Sequence, residues 1–145
     1  MTQSAVQLAL PQALPSCADT RLALFAARRM GAHGLADAQA AHALFTAFGP
    51  GFRRPLMLLR AMMADLAATA TATIAIAPCC CRRTTAAEAA LLTVLARAET
   101  QPDTARLLLA DLLGTRRVDG VLASAAAVAA AFADEGRPIC GPVFG

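Results

Sequence analysis

The chain has 145 residues, of which 38 are Ala and 20 are Leu, and its formal net charge at pH 7 is +3. This length is typical of one domain with a single core, and a hydrophobic fraction of 57% excludes an intrinsically disordered or collagen-like protein. The mild charge and the 4% aromatic content disfavour a nucleic-acid-binding protein, since that class uses strongly basic faces or aromatic stacking platforms.

The first 18 residues have no charged side chain and contain two prolines, which predicts a flexible N-terminal arm over 1–18. The arm lacks the basic start of a secretory signal peptide, because the first arginine is Arg21. No stretch contains the ~18–20 strongly apolar residues that span a bilayer. These features predict a cytoplasmic protein without membrane association.

Helical periodicity, together with start and stop residues, predicts an all-α protein, a compact bundle of five to six short helices. The predicted helical ranges are, in chain order, 20–32, 36–48, 55–68, 86–99, 102–113 and 120–135. Between the third and the fourth helix, the period-two alternation within 69–81 favours an extended segment that crosses the bundle. The helices are predicted to form a single domain over 19–138, followed by a flexible C-terminal tail at 139–145.

Apolar residues spaced three to four positions apart predict the buried faces of the helices. The predicted face of the first helix consists of Leu22, Phe25, Ala26 and Met30. The predicted face of the second helix consists of Ala38, Ala41, Phe45 and Phe48. The fourth helix has the clearest start, because Thr85 and Glu88 have the spacing of a capping box, in which each side chain accepts a backbone N–H.

Three successive cysteines, Cys79-Cys80-Cys81, follow Pro78 and precede two arginines and a helix start. Positive charge and a helix N-terminus both stabilise a thiolate, so the cluster is a candidate reactive or redox-sensing thiol site. In an extended chain Cys79 and Cys81 point to the same side, and with His33 they are the candidate ligands for zinc or another soft metal. The spacing matches no established metal motif. The alternative is that these cysteines are small buried hydrophobic residues under a loop.

Both histidines also have a purely structural interpretation. His33 lies near a predicted helix C-terminus, where an imidazole can bond free carbonyls and interact favourably with the helix dipole. His42 lies among alanines on a helix face, where a ligand role has no further support in the sequence.

Eight of the thirteen arginines occur as four doublets near predicted helix ends. Two doublets, Arg53-Arg54 and Arg82-Arg83, precede helix N-termini, where positive charge is mildly unfavourable. An anion or a partner that contacts Arg53, Arg54, Arg82 and Arg83 would offset this cost through bidentate hydrogen bonds. Ion pairing within the fold and solvation are the alternative.

Four segments of the sequence carry a family resemblance. They are 28–35, 52–56, 77–81 and 137–138. Through them the chain resembles a domain-of-unknown-function family of short, Ala-rich helical proteins from high-GC bacteria, over about residues 20–139. The resemblance implies a helical domain, and it implies no activity, cofactor or catalytic residue.

The sequence contains none of the phosphate-binding loops, dinucleotide-binding glycines or nucleophile elbows of common enzymes, so no enzymatic activity is inferred. We therefore predict a small helical binding or regulatory module that contacts an unknown protein partner or self-associates. The alternative is a thiol-centred metal-binding or redox-sensing protein that uses Cys79–Cys81.

Overall fold

A computed structural model describes residues 12–141 of the chain and contains six α-helices there. The helices are α1 (Ala18–His33), α2 (Ala38–Phe48), α3 (Arg53–Thr69), α4 (Ala86–Arg97), α5 (Pro102–Leu113) and α6 (Asp119–Asp134). A short 3-10 helix, Gly49–Phe52, leads from α2 into α3. This architecture confirms the predicted all-α bundle. No helix in the described part of the chain is long and apolar enough to cross a membrane.

Helix ends follow the capping chemistry of the sequence. Thr85 and Glu88 form both hydrogen bonds of the predicted capping box at the start of α4. Asp37 caps α2, because its carboxylate accepts the backbone N–H of Ala40 at 3.0 Å. Gly114 ends α5 in the left-handed conformation with φ of 70°, a region that side chains disfavour.

The core lies between two layers of helices. α3 packs most extensively against α6, α4 packs against α5, and α1 packs against α2. The contact between α3 and α6 is close because one face of α6 is formed by small residues such as Ala125 and Ala131, both fully buried. Phe132, also fully buried, contacts the ring of Phe48 edge-to-face at a centroid distance of 4.9 Å.

The predicted buried faces of α1 and α2 are partly wrong. In α1 the predicted Ala26 and Met30 are buried, but Leu22 and Phe25 are only half-buried, and Leu24 and Arg28 are buried as well. In α2 the buried residues are Ala40 and Leu44. The side chain of Phe45 is 50% exposed and packs edge-to-face on Phe52. Apolar spacing alone gave the wrong face because adjacent stripes on these Ala-rich helices are almost equally apolar.

The segment between α3 and α4 has almost no regular structure and crosses the bundle, as the sequence predicts for 69–81. Near its start, the backbone N–H and the hydroxyl of Thr71 both donate to the carbonyl of Leu113, at 2.9 and 2.8 Å. A Cβ atom at Gly114 would overlap the Thr71 hydroxyl, so glycine at this position also permits the close approach of the two segments. We call residues 70–85 the crossing segment.

Both ends of the described chain contact the helical body. β1 (Gln12–Ala13) pairs antiparallel with β2 (Arg83–Thr84), which lies just before α4. At the other end, Ile139 is buried against the core. The flexibility predicted for 1–18 and 139–145 stays a prediction, and residues 1–11 and 142–145 lie outside the described part of the chain.

Candidate functional site

A buried ion pair joins α1 to α4 beneath the crossing segment. Nε of Arg28 donates to Oε2 of Glu88 at 2.7 Å, and Nη2 donates to Oε1 at 2.9 Å. The two side chains are only 2% and 3% exposed. A fully buried charge pair of this kind needs hydrogen bonds to every remaining polar atom, because desolvation costs each ion several kcal/mol.

The crossing segment supplies those hydrogen bonds. The guanidinium of Arg28 also donates to the carbonyls of Cys81, at 2.9 Å, and Arg83, at 2.7 Å. The carboxylate of Glu88 accepts the backbone N–H of Ala77 at 3.1 Å and that of Thr85 at 2.9 Å. The ion pair therefore fixes the C-terminal half of the crossing segment, and no buried side-chain polar atom in the described residues lacks a partner.

An apolar groove with a volume of about 610 Å³ lies under the N-terminal half of the crossing segment. Its floor is formed by α1 and α3, and its lining includes Met30, Met63, Leu66, Ile74, Ile76 and Leu91. Threonine hydroxyls from the crossing segment are the polar groups at its wall. This volume is within the ~300–1,000 Å³ range of small-molecule sites, which are mostly apolar.

A second cavity of about 420 Å³ adjoins the groove and has a polar wall. Arg29, His33 and Cys79 line it, and it shares Gly31, Ile74 and Ile76 with the groove. A Cβ atom at Gly31 would lie 3.2 Å from Cδ1 of Ile76, which is tighter than ordinary van der Waals contact. Glycine at this position therefore lets the side chain of Ile76 pack directly against α1 where the two cavities adjoin.

A bidentate ion pair holds Arg29 at this wall. Its Nε and Nη2 donate to the two carboxylate oxygens of Asp37 at 3.0 and 2.9 Å. Hydrogen bonding to Arg29 lowers the pKa of Asp37 to about 2. The Asp37 carboxylate raises the pKa of Arg29, and so does a hydrogen bond with the Cys79 thiol, although burial acts in the opposite direction. The guanidinium is therefore a permanent cation beside a thiol.

The predicted metal ligands are only partly brought together. His33 is exposed in the last turn of α1 and shares the second cavity with half-buried Cys79. Cys81, also half-buried, lines a different cavity together with Cys79 and Cys80, and His33 does not line that cavity. Within residues 12–141, no group of three or more His, Cys, Asp or Glu side chains is placed to hold a metal ion. A zinc or other soft-metal site at Cys79, Cys81 and His33 stays a prediction that this arrangement does not support.

The four arginines predicted to contact an anion or a partner lie in two separate places. Arg53 and Arg54 are exposed at the start of α3, and Nη1 of Arg54 donates to Asp134 of α6 at 2.7 Å. Arg82 and Arg83 are exposed just before α4. The Arg54 contact agrees with the ion-pairing alternative, and an anion or partner contact at these four residues stays a prediction.

Sequence reasoning identified Glu88 as a cap but missed its pairing with Arg28. Both charges lie at core positions of their helices, because Arg28 is one turn after Leu24 and Glu88 is one turn before Leu92. A basic and an acidic residue on two buried faces are the signal that could have predicted a buried pair. Arg28 and Arg29 lie towards the C-terminus of α1, where positive charge also complements the helix dipole, so their position alone does not indicate a buried pair.

Comparison with known proteins gives a family and no further relative. Residues 1–111 match the model of a family described as a family of unknown function (DUF6628). The match includes α1–α4, the crossing segment and nearly all of α5. No curated protein and no solved structure matches the chain.

Proposed function

Because the chain belongs to DUF6628, a family of unknown function, its function has to be inferred from its own residues, and we propose that it is a non-enzymatic binding module for a small amphipathic anion. The apolar part of the ligand occupies the groove under the crossing segment, and its anionic head faces the second cavity. The observation that carries this proposal is that the two cavities are neighbours, since Gly31, Ile74 and Ile76 line both of them.

The groove favours an aliphatic ligand over a polar one. Its lining is made mainly of Met, Leu, Ile and Ala side chains, and each buried methylene contributes about 0.8 kcal/mol. Six buried methylenes therefore contribute about 5 kcal/mol, which corresponds to a dissociation constant on the order of 100 µM. A medium-chain alkyl carboxylate such as decanoate is the simplest probe of this chemistry.

The second cavity supplies the polar end of the site. Arg29 is fixed there by Asp37, and His33 lies exposed at the same wall. A carboxylate placed between them accepts a hydrogen bond from Arg29, which the ion pair with Asp37 already orients, so little entropy of that side chain is lost on binding. We expect an uncharged ligand of the same length, such as decan-1-ol, to bind more weakly.

Filling the groove is expected to abolish ligand binding. Ala67 is exposed on α3 and lines the groove, so Ala67→Phe places a ring where the alkyl chain binds. Titration calorimetry with decanoate should give at least tenfold weaker binding for this variant than for the unchanged chain.

The matched control is Ala61→Phe. Ala61 is also exposed on α3 but lines none of the described cavities. Its variant should bind decanoate within twofold of the unchanged chain. Absence of decanoate binding by the unchanged chain, or equal binding by the two variants, would contradict the proposal.

A thiol-centred site at Cys79–Cys81 is the second candidate function. The observation that favours it is that Cys79 and the permanently charged Arg29 line the same cavity. A reactive thiol here would be alkylated at pH 7 much faster than free cysteine, and Arg29→Gln would remove that advantage. We also propose that the chain contacts a protein partner or self-associates. A cytoplasmic location is likewise part of the proposal.

A further inference from the structure

The N-terminus of α1 brings together two cysteines that are far apart in the sequence. Cys17 is the N-cap residue of α1. The hydroxyl of Thr20, three residues later, donates to the carbonyl of Cys140 at 3.0 Å. The Cys140 thiol donates to the carbonyl of Pro138 at 3.7 Å, and it lies close enough to the Cys17 thiol for each to shift the pKa of the other. This is a dithiol, and it is distinct from the Cys79–Cys81 cluster.

The C-terminal segment is held in this position by further contacts. Nη1 of Arg137 donates to the carboxylate of Asp19 at 2.9 Å, and its Nε donates to the carbonyl of Ala47 at 2.9 Å. Ile139 is buried against the core. Cys140 is thus kept at the first turn of α1 by the hydrogen bond from Thr20, the hydrogen bonds of Arg137 and the burial of Ile139.

The surroundings of the two thiols give them different chemistry. Partial burial raises the pKa of Cys17, but hydrogen bonds from the Cys140 thiol and from Thr20 outweigh it and lower the pKa to about 7. The hydrogen bond with Cys17 raises the pKa of Cys140, and burial and the nearby charges of Cys17 and Asp19 act in the same direction. These opposite shifts favour the thiolate at Cys17 over Cys140, which makes Cys17 the better nucleophile of the two near neutral pH.

We propose that Cys17 and Cys140 are a reversible redox site, which hydroperoxides oxidise to a disulfide. The Cys17 thiolate attacks the terminal peroxide oxygen, the O–O bond breaks, and Cys17 becomes a sulfenic acid while the alkoxide or hydroxide leaves and takes up a proton. Cys140 then attacks the Cys17 sulfur. The S–S bond forms, the S–O bond breaks, and hydroxide leaves as water with the Cys140 proton.

The balance of the reaction is two thiols and one hydroperoxide giving one disulfide, one water and one alcohol, or two waters when the oxidant is hydrogen peroxide. The two electrons pass from the sulfurs to the peroxide.

The disulfide encloses almost the whole chain, and cross-links over such long loops restrict the unfolded state most strongly. This redox site involves no residue of the groove, so it can fail or hold independently of the proposed ligand.

The test is oxidation of the full, reduced chain with one equivalent of hydrogen peroxide. We expect the number of titratable thiols to fall from five to three, and peptide mapping without reductant to show a Cys17–Cys140 cross-link. Dithiothreitol should restore all five thiols. The oxidised form should melt roughly 10 °C above the reduced form.

Two variants separate the steps. Cys140→Ser should stop the reaction at the Cys17 sulfenic acid, which dimedone traps, whereas Cys17→Ser should keep its four thiols under the same conditions. The matched control is Cys80→Ser, since Cys80 is exposed in the separate cluster, and this variant should form the cross-link normally. A cross-link from Cys17 or Cys140 to Cys79–Cys81, or five intact thiols after the peroxide is consumed, overturns the proposal.

Discussion

Replacing Arg28 with Met should lower the free energy of unfolding by about 3–5 kcal/mol, because it leaves the buried carboxylate of Glu88 without its counter-ion. The side chain of Met fills much of the same volume, so lost packing contributes little. The effect should be visible in urea denaturation as a lower midpoint with a nearly unchanged slope.

Two further variants show that the effect comes from the unpaired buried charge. Arg54→Ala breaks an ion pair whose side chains are 55% and 63% exposed. This variant should lower the free energy of unfolding by less than about 1 kcal/mol. The double variant Arg28→Met with Glu88→Gln should be more stable than Arg28→Met alone. The amide is neutral, and its single oxygen can still accept the N–H of either Ala77 or Thr85. This explanation would be contradicted if the free energy of unfolding of the single variant Arg28→Met were within about 1 kcal/mol of that of the unchanged chain.

Phe132→Ala should lower the free energy of unfolding by about 3–5 kcal/mol, because it leaves a cavity in the core beside Phe48. The side chain is fully buried and packs on Phe48, so the cost includes both lost burial and lost ring contact. Thermal unfolding followed by circular dichroism should show a melting temperature roughly 10 °C lower.

Phe45→Ala is the matched comparison. Its ring makes a similar edge-to-face contact, with Phe52 at 5.2 Å, but its side chain is 50% exposed. If burial contributes more to stability than the ring contact does, the free energy of unfolding of this variant should fall by no more than about 1–1.5 kcal/mol. Equal losses for the two variants would mean that the core does not lie where the structure places it.

The helices could be predicted from the sequence because their signals are local. Thr85 and Glu88 start α4, Pro102 opens α5 and Gly114 closes it, each within a few residues of the feature it determines. The crossing segment could be predicted as well, since its alternating pattern ends the helical periodicity after α3.

The site depends on contacts between distant residues and could not be predicted in the same way. Arg28 and Glu88 are 60 positions apart, and a single sequence does not show which of several charges meet. The Ala-rich faces of α1 and α2 are also nearly uniform, so periodicity predicted buried positions for Leu22, Phe25 and Phe45 that are half-buried or exposed. Cys17 and Cys140 meet only because Arg137 and Ile139 fold the C-terminal segment back over α1.

The central claim is that the ion pair of Arg28 and Glu88 holds the crossing segment over a groove that binds an amphipathic anion. The most direct test is amide hydrogen exchange over residues 70–85, measured with and without saturating decanoate. We expect decanoate to slow exchange in 70–77 at least several-fold, and to leave exchange in α6 unchanged apart from the global gain in stability. Unchanged exchange in 70–77, or protection confined to another surface, would contradict the claim.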